Sequence, residues 1–401
     1  MPTSRLYYTD PARLTFEARV LRSEPAPPSH PGAFAVWLSE SAFYPTTGGQ
    51  PFDTGRLGEA RVVDVVEDAD GDVVHVIDRP LEPGTTVAGA VDATRRLDHR
   101  QQHSGQHVLS AAFVRTAKVA TVSFHLGGTV STIDLAREVT PAEIAAAEDA
   151  ANAVILEHRP VTIRFVSGEE AAALPLRKEP KRSGELRIID IADWDVSACG
   201  GTHVSHTGEI GPIAVRGWER FKGGTRLEFV CGARTLATFR ELRDIVTAST
   251  RLLSVLPTEL APAIGRLQEE LRDLRRVQRD QQGELAGFRA AALAAAAETI
   301  GSHRAVLAAI PGAAGDTLKA LAAAIAAQPG LVAVLTGDSR PAVAVVARSA
   351  DVALDAAALF KALVGRFGGK GGGRPELAQG GGLDAPAEAI LAAARAQLAA
   401  G

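Results

Sequence analysis

The chain is poor in cysteine, with two in 401 residues, and in aromatic side chains, at 5%. Two cysteines cannot make a disulfide framework, so the fold must rest on buried apolar surface, and a reducing compartment is expected. Neither sign of charge dominates: 43 basic and 47 acidic residues leave a net charge of −4. No overall field therefore draws the chain onto nucleic acid, and any such contact must use local patches. No apolar run approaches the length of a membrane span, and no charged-then-apolar leader opens the sequence. A cytoplasmic protein that does not enter the membrane is the expectation. What is present is a chain that is 46% hydrophobic and long enough for roughly two to four domains.

The patterning predicts an α+β multidomain protein. Residues 1–90 carry short β-branched runs, among them Val36-Trp37-Leu38, 61–66 and 73–77, with Asp70-Gly71 as a hairpin turn between the last two. A small β-barrel or sandwich is expected there. Residues 91–232 mix helix and strand. Asp92 is placed to cap a helix bearing Leu97, Val108 and Phe113, Thr140-Pro141-Ala142-Glu143 reads as a capping box, and Ser167 with Glu170 caps a shorter helix. Residues 233–299 read as helical. Ile264, Leu267, Leu271, Leu274, Gln278, Gln281, Leu285 and Phe288 follow steps of three and four, the spacing of a coiled-coil seam, and Pro257 divides the region into an antiparallel hairpin. Residues 300–401 alternate again and predict a small α/β domain with a glycine-rich loop before the last helix.

Two matched pairs carry the chemistry. His103-x-x-x-His107 puts two imidazoles one turn apart on a helix face, and Cys199-x-x-x-His203 flanks Gly200-Gly201-Thr202, where glycines permit a tight metal knuckle. Imidazole and thiolate are preferred zinc ligands, and zinc takes four in a tetrahedron. His99, four residues before His103, is a spare ligand or a donor to one, or simply a surface residue. The glycine loop Ala42–Gly55, with Thr46, Thr47 and Gln50, is the second informative stretch, because its backbone can approach a ligand closely.

These words resemble the alanyl-tRNA editing family of the freestanding AlaX type, in its long form, and the editing and C-terminal regions of alanyl-tRNA synthetase. The resemblance rests on Phe43-Tyr44-Pro45-Thr46-Thr47-Gly48-Gly49-Gln50, Gln102–His107, Ser123-Phe124-His125-Leu126-Gly127, Cys199–Val204, Thr207–Gly211, Leu227–Gly232 and the glycine word 368–382. It spans nearly the whole chain without the aminoacylation domain. It implies four parts: a β-barrel domain (1–90), a zinc-binding editing domain (91–232), a coiled-coil linker (233–299) and a C-terminal α/β domain with a tRNA-binding loop (300–401). It implies a trans-editing hydrolase, one that deacylates alanine tRNA mischarged with serine or glycine at a site with one zinc ion held by His103, His107, Cys199 and His203. Thr46 would sense the seryl hydroxyl, Gln50 would orient substrate or water, and His125 would line the pocket. Thr47 stands where the family usually has glycine; were positive φ needed there, a β-branched residue would cost about 1–2 kcal/mol.

An aminoacyl ester is already activated, so water must be positioned, the carbonyl polarised and the alkoxide stabilised. Four protein ligands close a zinc site, whereas catalysis by the ion needs an open position, and the sequence leaves both arrangements open. Arg177-Lys178 and Lys181-Arg182 form a charge cluster beside the expected pocket. With Lys222, and with Lys370 and Arg374 of the glycine word, they are the expected tRNA contacts. A homodimer through the C-terminal region is a further expectation. The alternatives are editing of threonine tRNA carrying serine, and a non-enzymatic tRNA-binding or dimerising protein with a structural zinc.

Overall fold

A computed structural model describes residues 3–178 and 184–400. The chain is α+β, with a closed barrel and, among the described residues, eight α-helices. It divides into two compact units, Met1–Ala248 and Ser249–Gly401. Among the described residues, no helix is long and apolar enough to cross a membrane.

The first unit opens with the barrel. Its strands are Thr15–Pro25, Phe34–Leu38, Val73–Ile77, Ala60–Glu67, Gly55–Leu57 and Thr86–Val91, taken in order around the ring. Alternation sends Phe16, Ala18 and Val20 inward between exposed Glu17 and Arg19, and the core gathers Val36, Leu38, Phe43, Val65 and Ile77. The expected hairpin turn is present: Gly71 N–H donates to Asp68 O, with Gly71 at φ +81°.

Helix α1, Ala93–Ala117, leaves the barrel at Asp92, whose carboxylate accepts from the N–H groups of Thr94 and Arg95. Arg96, 1% exposed, ties this helix to the barrel: its guanidinium pairs with Asp53 and donates to the carbonyls of Ala42 and Pro11. A buried charge of this kind is tolerated only when its donors are satisfied. Helix α2, Pro141–Leu156, starts at the Thr140–Glu143 capping box, and the short α3, Gly168–Ala172, at the Ser167–Glu170 box. A parallel pair of short strands, Ser4–Arg5 with Glu40–Ser41, and two antiparallel sheets complete the unit. One orders Ile213–Phe221, Gly224–Cys231, Ser131–Leu135 and Thr121–Leu126; the other orders Val161–Val166, Leu186–Ile191 and Asp195–Ala198. Val108, Leu109 and Phe113 of α1 meet Ile144, Ile189, Leu227 and Phe229 in one core.

Helix α4, Ala233–Leu253, crosses the unit boundary, and α5, Leu260–Ala295, follows a turn at Pro257. The seam residues of α5 (Ile264, Leu267, Leu271, Leu274, Leu285 and Phe288) are exposed, as are Leu236, Phe239 and Leu242 of α4. The buried residues of α5 are Ala263, Ala286, Ala290 and Ala294.

The second unit is a six-stranded sheet between helix layers. Its order is Glu298–Ile300, His303–Ala309, Leu331–Thr336, Ala342–Arg348, Leu377–Leu383 and Lys370–Arg374. Helix α6, Gly315–Ala326, packs on one face with the end of α5, while α7, Ala356–Phe367, and α8, Ala387–Ala400, cover the other. The glycine word does not form the expected loop. It makes two paired strands, with Gly371 opposite Gly380 and Gly373 opposite Ala378. A Cβ on Gly371 would lie 2.4 Å from Gln379 O and 2.7 Å from the Phe360 ring, so glycine serves close packing there.

Candidate metal centre

The four expected ligands converge although they come from distant segments. The ligand atoms of His103, His107, Cys199 and His203 all lie within 4.8 Å of one another. Cys199 Sγ is 3.3 Å from His103 Nε2 and 3.4 Å from His203 Nε2. Zinc bonds of ~2.3 Å to sulfur and ~2.05 Å to nitrogen give tetrahedral S···N edges of about 3.6 Å, close to both distances. The helical turn supplies two imidazoles, and the strand Asp195–Ala198 delivers the chain to the knuckle that supplies the rest. Gly201 is required there, since a Cβ would fall 2.1 Å from the His103 ring.

Each histidine has its other nitrogen occupied. His103 Nδ1 donates to Gln50 Oε1 at 2.8 Å, His107 Nδ1 to Asp195 Oδ2 at 2.9 Å, and His203 Nδ1 meets Ser104 Oγ at 3.1 Å. These bonds set the tautomers and leave three Nε2 lone pairs facing one thiolate. Burial alone would raise the Cys199 thiol, but the neighbouring His103 and His203 imidazoles hold it well below its ordinary range. Burial, with His103 alongside, pushes His203 down to about 3. Burial also acts to lower His107, but the hydrogen bonds to Asp195 and Cys199 and the charges of both together lift it to about 8. An ionised thiolate and oriented imidazoles are the donor set a metal cation requires, and the residues fit zinc.

The barrel loop reaches the centre through Gln50, which is 1% exposed. Its Oε1 accepts from His103 and from Thr202 N–H, and its Nε2 donates to Thr202 Oγ1, so the amide is committed to the ligands. Gly48 (φ +56°) and Gly49 (φ +83°) form a tight turn closed by paired Thr47 and Gln50 backbone bonds. Thr47 has no positive φ, so a β-branched residue sits there without strain.

A cavity of about 710 Å³ opens beside the cluster. Thr47, Gly49, Tyr44, Phe124, Gln106 and Arg187 are among its walls. Thr46 lies outside them, exposed, with Oγ1 accepting from Phe52 N–H. His125 is exposed too and does not line the cavity, although the preceding residues Val122, Ser123 and Phe124 do. His99 is buried 3.7 Å from Asp53 and is not a ligand. Arg177 and Lys178 both line the cavity, and Arg177 is paired with Asp195 at 2.6 Å. Lys181 and Arg182 lie outside the described residues. Lys222 occupies the turn after Phe221, and Lys370 and Arg374 are exposed ends of a strand in the second unit.

Three contributors had no sequence signal: Asp195, Ser104 as a partner of His203, and Arg187. The last, 7% exposed, donates through Nη1 to the carbonyls of Cys199 and Gly201 and through Nε to Tyr8 O, bracing the knuckle.

The family model for the threonyl and alanyl tRNA synthetase second additional domain matches residues 186–228, which hold two of the four ligands, and the DHHA1 domain model matches 302–400. The alanine–tRNA ligase of Pyrococcus abyssi is 32% identical over 397 residues, 94% of this chain and 42% of that protein. The alanine–tRNA ligase of Methanothrix thermoacetophila is 33% identical over 420 residues, 99% of this chain and 45% of that protein. The chain spans less than half the length of these relatives. Among solved structures, the C-Ala domain of Aquifex aeolicus alanyl-tRNA synthetase aligns with 26% of this chain and 97% of that chain, at 19% identity and a TM-score of 0.25.

Proposed function

The chain is a relative of the alanine–tRNA ligases, and from that premise we propose that it hydrolyses the ester joining serine or glycine to alanine tRNA, acting in trans at the His103, His107, Cys199 and His203 centre. The observation that carries this is the buried ligand set, with every histidine already oriented, at the wall of a cavity large enough for an ester substrate. A zinc ion held there by three of the four residues would supply Lewis acidity toward an ester carbonyl or a water at its fourth position, whereas one held by all four would shape the pocket instead.

The chain's own residues do the rest. Gln50, Asp195 and Ser104 fix the imidazoles, and Arg187 fixes the knuckle, so the acyl end meets a rigid wall. The Thr47–Gln50 turn presents backbone without side chains at Gly48 and Gly49, which permits close approach of an acyl group. Sensing of the seryl hydroxyl falls in this reading to Thr47, a cavity residue, and not to Thr46, whose Oγ1 accepts from Phe52 N–H outside the cavity walls. A site that hydrogen-bonds a substrate hydroxyl rejects the analogue lacking it, because its own polar groups are then left unpaired. Lys178 and Lys222, with Lys370 and Arg374, are proposed phosphate contacts, and Arg177 serves Asp195 instead.

The test is deacylation of alanine tRNA carrying serine, glycine or alanine, and of threonine tRNA carrying serine, each with and without chelator. Hydrolysis of the seryl and glycyl alanine tRNAs, lost on chelation, supports the reading. Binding of tRNA with the ester intact would replace it by a non-enzymatic role. Preference for seryl threonine tRNA would move the substrate to the other enzyme in the domain's name.

A further inference from the structure

Four hydroxyls on the cavity wall are already spent. Tyr44 Oη donates to Thr47 O at 3.2 Å, Thr121 to Ser110 at 2.8 Å, Ser123 to Asp134 at 2.5 Å and Ser197 to Asp195 at 2.8 Å. Tyr8 lines the same wall and differs from them. Its Oη accepts from Arg5 Nη1 at 3.1 Å and, among the described residues, donates to nothing. A phenol oxygen that accepts on one side directs its own proton elsewhere. The ring is held on both sides. The guanidinium carbons of Arg5 and Arg187 each lie 5.4 Å from its centroid, and Arg187 Nε donates to the Tyr8 carbonyl at 2.8 Å. Arg187 also holds the carbonyls of Cys199 and Gly201, so one guanidinium locks Tyr8 and the knuckle into a single frame. A Cβ on Gly200 would lie 3.5 Å from Tyr8 Oη, which places the hydroxyl beside the residue that follows Cys199. A rigid donor without a protein acceptor, next to the candidate metal ligands and on the cavity wall, is suited to meet a ligand oxygen.

We propose that Tyr8 is a catalytic hydrogen-bond donor whose hydroxyl holds the carbonyl oxygen of the acyl ester. The proposal rests on the aminoacyl-ester reading and adds to it the group that stabilises negative charge. As the water oxygen bonds to the acyl carbon, the carbonyl electron pair moves onto oxygen, and Tyr8 donates to that oxyanion without giving up its proton. When the pair returns, the ester C–O bond breaks and the ribose oxygen leaves with the proton released by the water. Arg5 is a positioning residue: anchored by Glu67 at 2.6 Å, it fixes the phenol oxygen from behind.

The experiment compares wild type, Tyr8→Phe and Tyr7→Phe, each with its metal content measured, on seryl alanine tRNA and on two unreactive adenosine analogues. One analogue carries serine in amide linkage and resembles the substrate. The other is the matching aminophosphonate ester, whose charged oxygens resemble the tetrahedral intermediate. Tyr8→Phe keeps the ring between Arg5 and Arg187 and is expected to fold and to hold metal as wild type does. Its kcat is expected to fall roughly 100-fold, with KM changed by less than about threefold. Affinity for the phosphonate falls by the same factor of roughly 100, while affinity for the amide stays within about threefold. Tyr7, fully buried with an unpartnered hydroxyl, is the control, and Tyr7→Phe changes these values by about twofold or less. An unchanged kcat, equal loss on the two analogues, or loss of metal in Tyr8→Phe overturns the donor. If wild type cleaves no ester, the hydrolase reading falls. A preference for phosphonate over amide that depends on Tyr8 then keeps the oxyanion site, and its absence removes that too.

Discussion

At Gly201 the place of a missing Cβ is taken by an imidazole: His103 Cε1 lies 2.1 Å away and Gln50 Oε1 3.0 Å away. At Gly371 the same place is taken by backbone, with Gln379 O at 2.4 Å and Gly380 Cα at 2.6 Å. In the first unit glycine admits polar side chains from distant segments, and in the second it admits another strand. The surroundings differ accordingly. The metal knuckle is enclosed by ionisable groups, whereas the buried polar residues of the second unit are Thr336 and Ser349, neither of which titrates. Glycine richness alone does not announce a ligand loop; what approaches the glycine decides its role.

The largest expected effect breaks the first half of that comparison. Gly201→Ala forces the Cβ into His103 and should weaken metal binding roughly 100-fold or more, beyond the 10- to 100-fold typical of disturbed partners of ligands. Gly200→Ala meets only Tyr8 Oη at 3.5 Å, an ordinary contact, and should bind metal as wild type does. Metal content under chelator competition checks both. Equal affinities for the two variants would show that glycine at 201 is incidental.

Acid separates the units next. His75, fully buried in the barrel, accepts from Ser41 Oγ at Nε2 and donates from Nδ1 to Val36 O. Burial lowers it to about 4, partly offset by the bond to Val36. The folded value lies below the ordinary 6.5, so between pH 6.5 and 4 the unfolded chain binds the proton more readily. Stability from this group is therefore complete above pH 6.5 and lost as pH falls toward 4, by up to about 3 kcal/mol. Hydrogen exchange on the full chain should show barrel protection falling over that window while the second-unit sheet stays level. A parallel fall in both units would contradict this.

Gly371→Ala tests the other half. Overpacking against Gln379, Gly380 and Phe360 should cost about 2 kcal/mol in the second unit, while Gly372→Ala, with nothing within 4 Å of its Cβ, should change stability by about 0.5 kcal/mol or less. Denaturant midpoints give both values. Similar losses at the two positions would mean that strand propensity rather than packing is at work.

These contrasts show what could be read in the sequence. The clustering of His103, His107, Cys199 and His203 was legible because zinc chemistry restricts residue type and spacing, and Asp92, Thr140 and Ser167 were legible as caps because capping is local. The partners of the ligands were not. Asp195 is an ordinary acid in a short strand, and Gln50 reaches His103 only after the barrel has closed and α1 has docked on it. The strands at 370–374 and 377–383 were hidden because glycine is depleted in strands, and their stability depends on Phe360, which lies on another element. The α5 seam was legible as spacing, but spacing does not state what covers it.

The smallest effect concerns the position where this chain departs from glycine. If Thr47 were forced into positive φ, Thr47→Gly would relieve strain and stabilise the protein by about 1–2 kcal/mol. The turn places positive φ at Gly48 and Gly49 and not at Thr47, whose N–H and C=O both pair with Gln50. Glycine there would gain no relief and would add freedom to the unfolded chain, so the expected change is a loss of about 0.5–1 kcal/mol. Thermal denaturation of metal-loaded protein measures it. A gain in stability would mean that Thr47 is strained after all, and would group it with Gly201 as a position where the centre demands the absence of a side chain.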